Sequence, residues 1–273
     1  MKIERLDLDG VGAPRKLAER IHEIETLPLA VPIEELCEAL GILSIKEVET
    51  SAFEAALITD AVKSAGHILV NRNSPRHRRR FSIAHELGHF LIEAHRTRGD
   101  HPIECALQDL HLLNPRDRDK RIRIEGEANT FAADLLMPPR RIREYVGHVG
   151  VSLEVLVAMA REFEVSKEAM ARAFVASHRE PCAVIVSRNG RVERFYRHED
   201  FPYLPVAKGK SLPFDCLATD DLAVGTFTEP EEIEPDIWLS EHDAERVLAL
   251  TEQALGQSNG FAMTLLQAEL DEG

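Results

Sequence analysis

The feature that most constrains this chain is the sequence His85-Glu86-Leu87-Gly88-His89, which lies inside an apolar helical pattern over residues 80–95. Successive residues of an α-helix are rotated by about 100°, so side chains four positions apart leave nearly the same face. His85 and His89 can therefore hold one metal ion between them. Glu86 projects to one side of this pair, where its carboxylate reaches a metal-bound water without binding the metal. The metal lowers the pKa of that water, and Glu86 is the predicted general base that takes its proton.

A catalytic zinc needs a third protein ligand and an open coordination position. His95 is one candidate, because it follows His85 by ten residues. On an unbroken helix, however, its side chain points about 80° away from the His85 face. That direction favours a histidine at the surface, or one that contacts a ligand rather than the metal.

The other candidate is a carboxylate on the next helix, which the pattern predicts over residues 124–136. Its alanines, among them Ala128, allow this helix to approach the first one closely. Glu125 lies one turn before Asn129 and shares its face, whereas Glu127 points elsewhere. Glu127 is typical of an exposed carboxylate near a helix start, where the helix dipole favours negative charge.

The rest of the chain has an α+β pattern. Apolar spacing predicts further helices over residues 14–26, 32–41, 152–177 and 241–256, and strands over residues 42–49, 54–60, 66–71 and 261–269. Asn189-Gly190 predicts a hairpin with a type I′ turn, and the helix over 124–136 is expected to stop at Pro138-Pro139. Residues 96–123 are charged and predict a mobile surface segment with one short helix around 103–112.

Three linked motifs resemble the ImmA/IrrE metallopeptidase family. Residues 79–90 are similar to its pattern r-F-t-x-A-H-E-x-x-H, and residues 125–138 to its pattern E-x-x-A-N-x-F-A-a-x-L-L-M-P. Residues 159–166 are similar to the family's helix-turn-helix-like segment, L-A-x-x-F-x-V-S. The resemblance covers about residues 30–177.

The resemblance implies a zincin-like, mainly helical peptidase domain with a small sheet over residues 1–150. A helix-turn-helix-like segment over 151–179 and a C-terminal α+β domain over 180–273, GAF-like in some members, are expected to follow. The implied metal ligands are His85, His89 and Glu125, with Glu86 as the catalytic base. The implied cofactor is Zn²⁺, with Mn²⁺ as the alternative.

The resemblance also implies a partner. Family members make a limited cut in helix-turn-helix transcriptional repressors, which relieves repression after stress or in mobile elements. The expected substrate is therefore a separate repressor of the XRE type. In zincins a peptide commonly pairs with an exposed edge strand, and residues 66–71 are the candidate edge. Ile68, Leu69, Val70 and Asn71 are then the candidate substrate-binding residues, unless this strand is internal.

Two other functions stay open at this stage. The protein can be a non-catalytic, metal-containing protein that sequesters a repressor or toxin, although a structural metal site does not need Glu86. It can also be a DNA-binding regulator that uses residues 152–177, but the formal net charge of −14 argues against direct DNA binding. For the basic run over residues 76–80, we expect salt bridges to acidic neighbours rather than nucleic-acid contacts; a dock for an acidic stretch of substrate is the alternative.

Several sequence features indicate a cytoplasmic protein without a membrane partner. No apolar run approaches the roughly 18–20 residues that cross a bilayer, and the first residues lack the apolar core of a secretory signal. The four cysteines are widely spaced, which predicts buried, reduced thiols. The residue that stabilises the oxyanion is left open among Tyr145, His148, His101 and His111.

Overall fold

A computed structural model describes residues 1–95, 119–218 and 222–271, together with the backbone of a short strand at 103–105. These residues form two compact units. The first comprises Met1–Pro138 with Glu162–Ser166, and the second comprises Pro139–Arg161 with Lys167–Gly273. Helices and a separate sheet occur in each unit, which confirms the mixed α+β class. The predicted functional divisions after residues 150 and 179 stay a prediction.

The first unit alternates helices and short strands. Its helices are α1 (Pro14–Ile24), α2 (Ile33–Ala39), α3 (Arg76–Leu91) and α4 (Lys120–Leu136), and its strands are β1 (Ile42–Val48), β2 (Ala55–Thr59), β3 (Gly66–Asn71) and β4 (Ile103–Cys105). α1 begins with Pro14, whose fixed φ suits the first helical turn. α1 and α2 lie within two residues of their predicted bounds, and α4 begins four residues earlier than predicted but ends where predicted. α3 begins and ends four residues earlier than predicted.

The sheet of the first unit has the order β1-β3-β2-β4. β3 pairs in parallel with β1 and antiparallel with β2, so Ile68 lies opposite both Ile45 and Leu57. The prediction that residues 66–71 form an exposed edge is therefore wrong, because both hydrogen-bonding sides of this strand are already used. Ile68, Leu69, Val70 and Asn71 thus offer no free backbone edge to a peptide. In the part of the chain that the structure describes, the outer strands are β1 and β4.

Close packing of α3 against α4 depends on small residues. A Cβ atom placed on Gly88 of α3 would lie 2.9 Å from Cδ1 of Phe131 and 3.4 Å from Cα of Ala128 on α4. Phe131 and Ala128 are both fully buried, so neither has free space to move into. Glycine at position 88 therefore sets how near α4 comes to the helix that carries the H-E-x-x-H sequence.

The second unit contains the remaining helices and an antiparallel sheet of order β6-β5-β9-β8-β7. Its elements are α5 (Pro139–Val149), α6 (Leu153–Glu162), α7 (Lys167–Ser177), β5 (Cys182–Arg188), β6 (Arg191–Arg197), β7 (Glu231–Ile233), α8 (Glu241–Ala244), β8 (Val247–Gly256) and β9 (Phe261–Leu270). Asn189 and Gly190 both have positive φ, at 49° and 67°, as the predicted type I′ hairpin turn requires. Trp238, Phe201 and Leu250 belong to the core of this unit.

The helix predicted over residues 241–256 is wrong. Only Glu241–Ala244 is helical, and β8 follows from Val247 to Gly256. The sequence is rich in Glu, Ala and Leu, which favour helix, but β8 pairs with β9 along almost its whole length and buries Leu250 and Ala254. Tertiary packing of this kind overrides a weak local preference.

Two further differences concern the region after α3 and the prolines after α4. The predicted short helix around 103–112 begins instead with β4 at 103–105, and residues 106–112 lie outside the described residues, as does most of the predicted mobile segment. α5 was not predicted, because Pro138-Pro139 indicates a helix stop. Pro139 is instead the first residue of a new helix, a position that proline tolerates well.

None of the helices in the described ranges has the length and apolar character to cross a bilayer.

Cys37, Cys182 and Cys216 are buried free thiols, as the sequence predicts. Burial is the main reason that the pKa of Cys182 rises to about 12 and that of Cys216 to about 11. These thiols are therefore protonated at neutral pH and are poor nucleophiles.

Candidate metal centre

The central part of α3 is buried on every side. Nine consecutive residues, from Ser82 to Phe90, have little or no exposed surface, and His85, Glu86 and His89 are each 0% exposed. Glu125 on α4 is 5% exposed. A histidine pair and two carboxylates so deeply buried are costly unless each has a partner or a function.

Three ligand-type atoms converge between α3 and α4. His85 Nε2 lies 3.1 Å from Glu125 Oε2, His89 Nε2 lies 3.4 Å from the same oxygen, and the two Nε2 atoms are 3.0 Å apart. A tetrahedral zinc ion, bound at about 2.0–2.1 Å, separates its ligands by about 3.3 Å. The observed spacing of His85, His89 and Glu125 therefore fits a single small divalent ion.

The charges of these groups fit the same conclusion. Burial alone raises the pKa of Glu125, but its close contacts with the imidazoles of His85 and His89 outweigh this and hold the pKa well below its usual range. Burial lowers the pKa of His89, and its contact with the carboxylate of Glu125 offsets part of that effect. The site thus favours an anionic carboxylate and a neutral imidazole, which are the forms that bind a metal.

A side chain on α4 orients His85. Its Nδ1 lies 2.9 Å from Oδ1 of Asn129, which is one helical turn after Glu125 and is also buried. An amide oxygen is an acceptor, so this contact places the His85 proton on Nδ1 and leaves Nε2 free to face Glu125. One face of α4 therefore supplies both the carboxylate and the group that orients one imidazole.

Glu86 is the most unusual residue of the site. Neither of its carboxylate oxygens accepts a hydrogen bond of normal geometry from any residue that the structure describes. Burial and then the negative charge of Glu125 raise the pKa of Glu86 well above its usual range, while the backbone N–H of Leu57 on β2 lowers it by less. A buried carboxyl group with a raised pKa, beside a metal-type cluster, is typical of a general base.

His95 does not lie at the surface. It is 1% exposed, and its Nδ1 lies 3.0 Å from Nδ1 of His89. Its Nε2 lies 2.8 Å from Oε2 of Glu127. Glu127 is partly buried and lies two turns after the start of α4, so the prediction of an exposed carboxylate near a helix start is wrong. Of the alternatives for His95, the structure supports a histidine that contacts a ligand-type residue.

The basic run at the start of α3 forms the predicted salt bridges. Arg76 and Arg80 both pair with Glu164, at 2.9 Å and 3.3 Å, and Arg79 pairs with Glu47 at 3.4 Å. Arg80 also donates to the backbone carbonyl of Val31 at 2.8 Å. These arginines anchor the helix that carries His85.

Lys63 was not indicated by any sequence pattern. Its side chain is buried, and Nζ donates to the backbone carbonyls of His89 at 2.6 Å and Ile92 at 2.7 Å. It lies in a turn between β2 and β3, at a φ of 52°, so it holds the carboxyl end of α3 from a distant part of the sequence.

The four residues considered for stabilising the oxyanion fall into two groups. Tyr145 and His148 lie on α5, in the second unit. His101 and His111 lie outside the described residues. The role of oxyanion stabiliser is therefore assigned to none of them.

Two histidines of one H-E-x-x-H helix and a glutamate of its neighbour, above a small mixed sheet, define a metallopeptidase-type fold and site. Residues 37–174, just over half of the chain, match the peptidase M78 family, described as the IrrE N-terminal-like domain. The chain belongs to that family.

Curated relatives agree with this assignment. The radiation response metalloprotease IrrE of Deinococcus radiodurans is 30% identical over 127 residues, which cover 46% of this chain and 36% of the relative. The protein of the same name from Deinococcus deserti is 35% identical over 99 residues, which cover 36% of this chain and 32% of the relative. The chain thus matches about a third of the length of these relatives.

One solved structure is similar along most of the chain. It is described as a Mycobacterium tuberculosis transcriptional regulator, and the comparison gives a TM-score of 0.53 at 16% sequence identity. It covers 93% of this chain and 76% of the other. At this identity the similarity concerns the fold alone.

Proposed function

We propose that this protein is a metal-dependent endopeptidase that makes a limited cut in a partner helix-turn-helix repressor of the XRE type and thereby relieves repression. The observation that carries the proposal is the buried, unsatisfied carboxylate of Glu86 beside the converging His85, His89 and Glu125. Membership of the peptidase M78 family supports it.

In this proposal His85, His89 and Glu125 hold Zn²⁺, with Mn²⁺ as the alternative. When bound, the ion supplies a Lewis acid that lowers the pKa of water and polarises the scissile carbonyl. Glu86 takes a proton from the attacking water and then delivers it to the leaving amide nitrogen. A carboxyl group with a raised pKa suits both transfers, because it holds a proton more readily than an ordinary carboxylate does and can still release it. Asn129 keeps the His85 ring in position through the reaction.

Glu86 also distinguishes this proposal from a non-catalytic, metal-containing protein that sequesters a repressor or toxin. A structural metal site needs only its ligands, and burial of a further carboxylate without a hydrogen bond costs free energy. A chain selected only for binding would gain stability from an apolar residue at position 86. Retention of a buried acid there favours catalysis.

The proposed partner is a protein of transcriptional control. Two relatives are named radiation response metalloproteases, and the similar solved structure is described as a transcriptional regulator. Substrate pairing with the sheet requires an outer strand. β4 is better placed than β1, because it pairs with β2, whose Leu57 N–H faces Glu86.

The test is cleavage of an XRE-type repressor taken from the organism that encodes this chain. The full-length protein, loaded with zinc or manganese, is incubated with that repressor, and the fragments are identified by mass spectrometry. We expect one cut with the wild-type protein and none with Glu86→Gln. Absence of stoichiometric metal together with absence of any cleavage would refute the proposal. Equal, tight binding of an uncut repressor by both proteins would instead support sequestration.

A further inference from the structure

We propose that His95 and Glu127 are positioning residues that keep a proton on Nδ1 of His89 and so direct its Nε2 lone pair to the metal. This inference rests on the metal site of the proposed function. It is carried by an unbroken chain of short contacts, from Glu127 Oε2 to His95 Nε2 at 2.8 Å and from His95 Nδ1 to His89 Nδ1 at 3.0 Å.

The direction of the hydrogen bonds follows from the end of this chain. The carboxylate of Glu127 only accepts, so Nε2 of His95 must donate to it. A neutral imidazole carries one proton, which leaves Nδ1 of His95 as an acceptor. Nδ1 of His89 then donates to His95, and Nε2 of His89 keeps its lone pair on the side of Glu125 and His85.

The local backbone is built to bring His95 to this position. α3 ends at Leu91, and the next residues form a turn in which the His95 N–H donates to the Ile92 carbonyl at 3.1 Å. Lys63 holds the same turn, since its Nζ bonds the carbonyls of both His89 and Ile92. His95 is thereby enclosed at 1% exposure, and water cannot readily replace its ring as the acceptor for His89.

The two imidazoles of the site are thus supported differently. An uncharged amide, Asn129, orients His85, whereas a carboxylate acts on His89 through a second imidazole. A carboxylate at the end of such a chain makes the metal-binding nitrogen more basic. We therefore expect His89 to depend more on charge at position 127 than His85 does.

Four variants test this inference. His95→Phe fills similar space but removes the acceptor for His89, whereas His95→Gln offers an amide oxygen in its place. Glu127→Leu removes the acceptor for His95, and Glu127→Gln keeps one without the charge. His67→Gln is the matched control, because His67 is exposed on β3 and bonds Ser44.

The first readout is the dissociation constant for Zn²⁺ and Co²⁺, measured by competition with a chromophoric chelator. Loss of such a supporting group typically weakens metal binding by about 10–100-fold. We expect this loss for His95→Phe and Glu127→Leu. Each amide variant should bind metal at least threefold more tightly than its apolar counterpart, and the affinity of His67→Gln should equal that of the wild type. The threefold margin is a rough criterion, well inside the about 10–100-fold range.

The second readout needs no metal. In the metal-free protein, ¹⁵N chemical shifts should place a proton on Nδ1 of His89 in the wild type and in His95→Gln. In Glu127→Leu they should show that proton moved to Nε2 or shared between the two ring nitrogens. A purely space-filling role for His95 would give equal affinities for the phenylalanine and glutamine variants and unchanged shifts, and would overturn the inference. If His95→Phe does not fold, the comparison of Glu127→Leu with Glu127→Gln tests the inference. Failure of the wild type to bind metal would instead refute the proposed function.

Discussion

Replacement of Gly88 by alanine tests how closely α3 and α4 must approach. The new Cβ would lie 2.9 Å from Cδ1 of Phe131 and 3.4 Å from the backbone of Ala128, both in a fully buried environment. Overpacking of this kind costs about 1–3 kcal/mol, while alanine in place of glycine in a helix gains about 1 kcal/mol. We therefore expect Gly88→Ala to lower the free energy of unfolding by up to about 2 kcal/mol.

Gly147→Ala is the matched control. Gly147 lies in α5, and nothing is within 4 Å of the Cβ that alanine would add. This variant should gain stability by up to about 1 kcal/mol, since only the helix preference changes. Thermal unfolding of the metal-free proteins, followed by circular dichroism, compares the two substitutions with the wild type.

Metal binding provides a second measure of the same perturbation. If the added methyl group pushes the helices apart, Glu125 on α4 moves away from His85 and His89 on α3, and metal affinity falls in Gly88→Ala but not in Gly147→Ala. The reasoning is refuted if Gly88→Ala is as stable as Gly147→Ala and binds zinc as tightly as the wild type. That result would mean that the Phe131 side chain can move away from the added methyl group.

Three further predictions follow from the site and its surroundings. Glu86→Gln should keep stoichiometric metal and a wild-type unfolding temperature but lose cleavage by about 10²–10⁴-fold, since general-base catalysis contributes that much. Fragment yield and metal content are the measurements. Full retained activity would remove Glu86 from the mechanism. Glu164→Gln should lower the free energy of unfolding by about 1 kcal/mol in low salt and by less in high salt, because it removes the negative charge paired with Arg76 and Arg80. Denaturant unfolding at two salt concentrations measures this difference. A loss of stability that does not depend on salt would contradict the prediction. The metal-free protein should become less stable as pH falls below about 6.5, because burial lowers the pKa of His95 to about 2 and the unfolded chain then binds protons that the folded chain does not. Unfolding midpoints measured from pH 7.5 to pH 5 should change less with pH in His95→Gln than in the wild type. An equal change in both proteins would exclude His95 as a source of the pH dependence.

Patterns that repeat along one element were sufficient to predict much of the fold. The apolar spacing of Leu17 and Ile21 predicts α1, and Asn189-Gly190 predicts the hairpin between β5 and β6, because turn chemistry and helix periodicity act over a few residues. β8 was missed for the opposite reason. Its strand conformation comes from pairing with β9 and from burial in the core of the second unit, and neither is visible in a segment rich in helix-forming residues.

The order of strands in a sheet is a further property that local patterns do not contain. Residues 66–71 read correctly as a strand, and their position just before the H-E-x-x-H helix suggested an edge. Whether a strand is internal depends on which other strands pair with it. Here β1 and β2 come from earlier in the chain and pair on either side of β3, so chain order was a poor guide to spatial order.

His95 shows where helix periodicity itself fails. Its expected direction, about 80° from His85, assumes a helix that continues through residue 95. α3 ends at Leu91, and the turn that follows brings the imidazole back to His89. Lys63, which lies 26 residues before His89, bonds the carbonyls of His89 and Ile92 at this turn. A lysine with no motif of its own thus supplies partners for carbonyls that would otherwise be left to water, and no pattern along α3 indicates it.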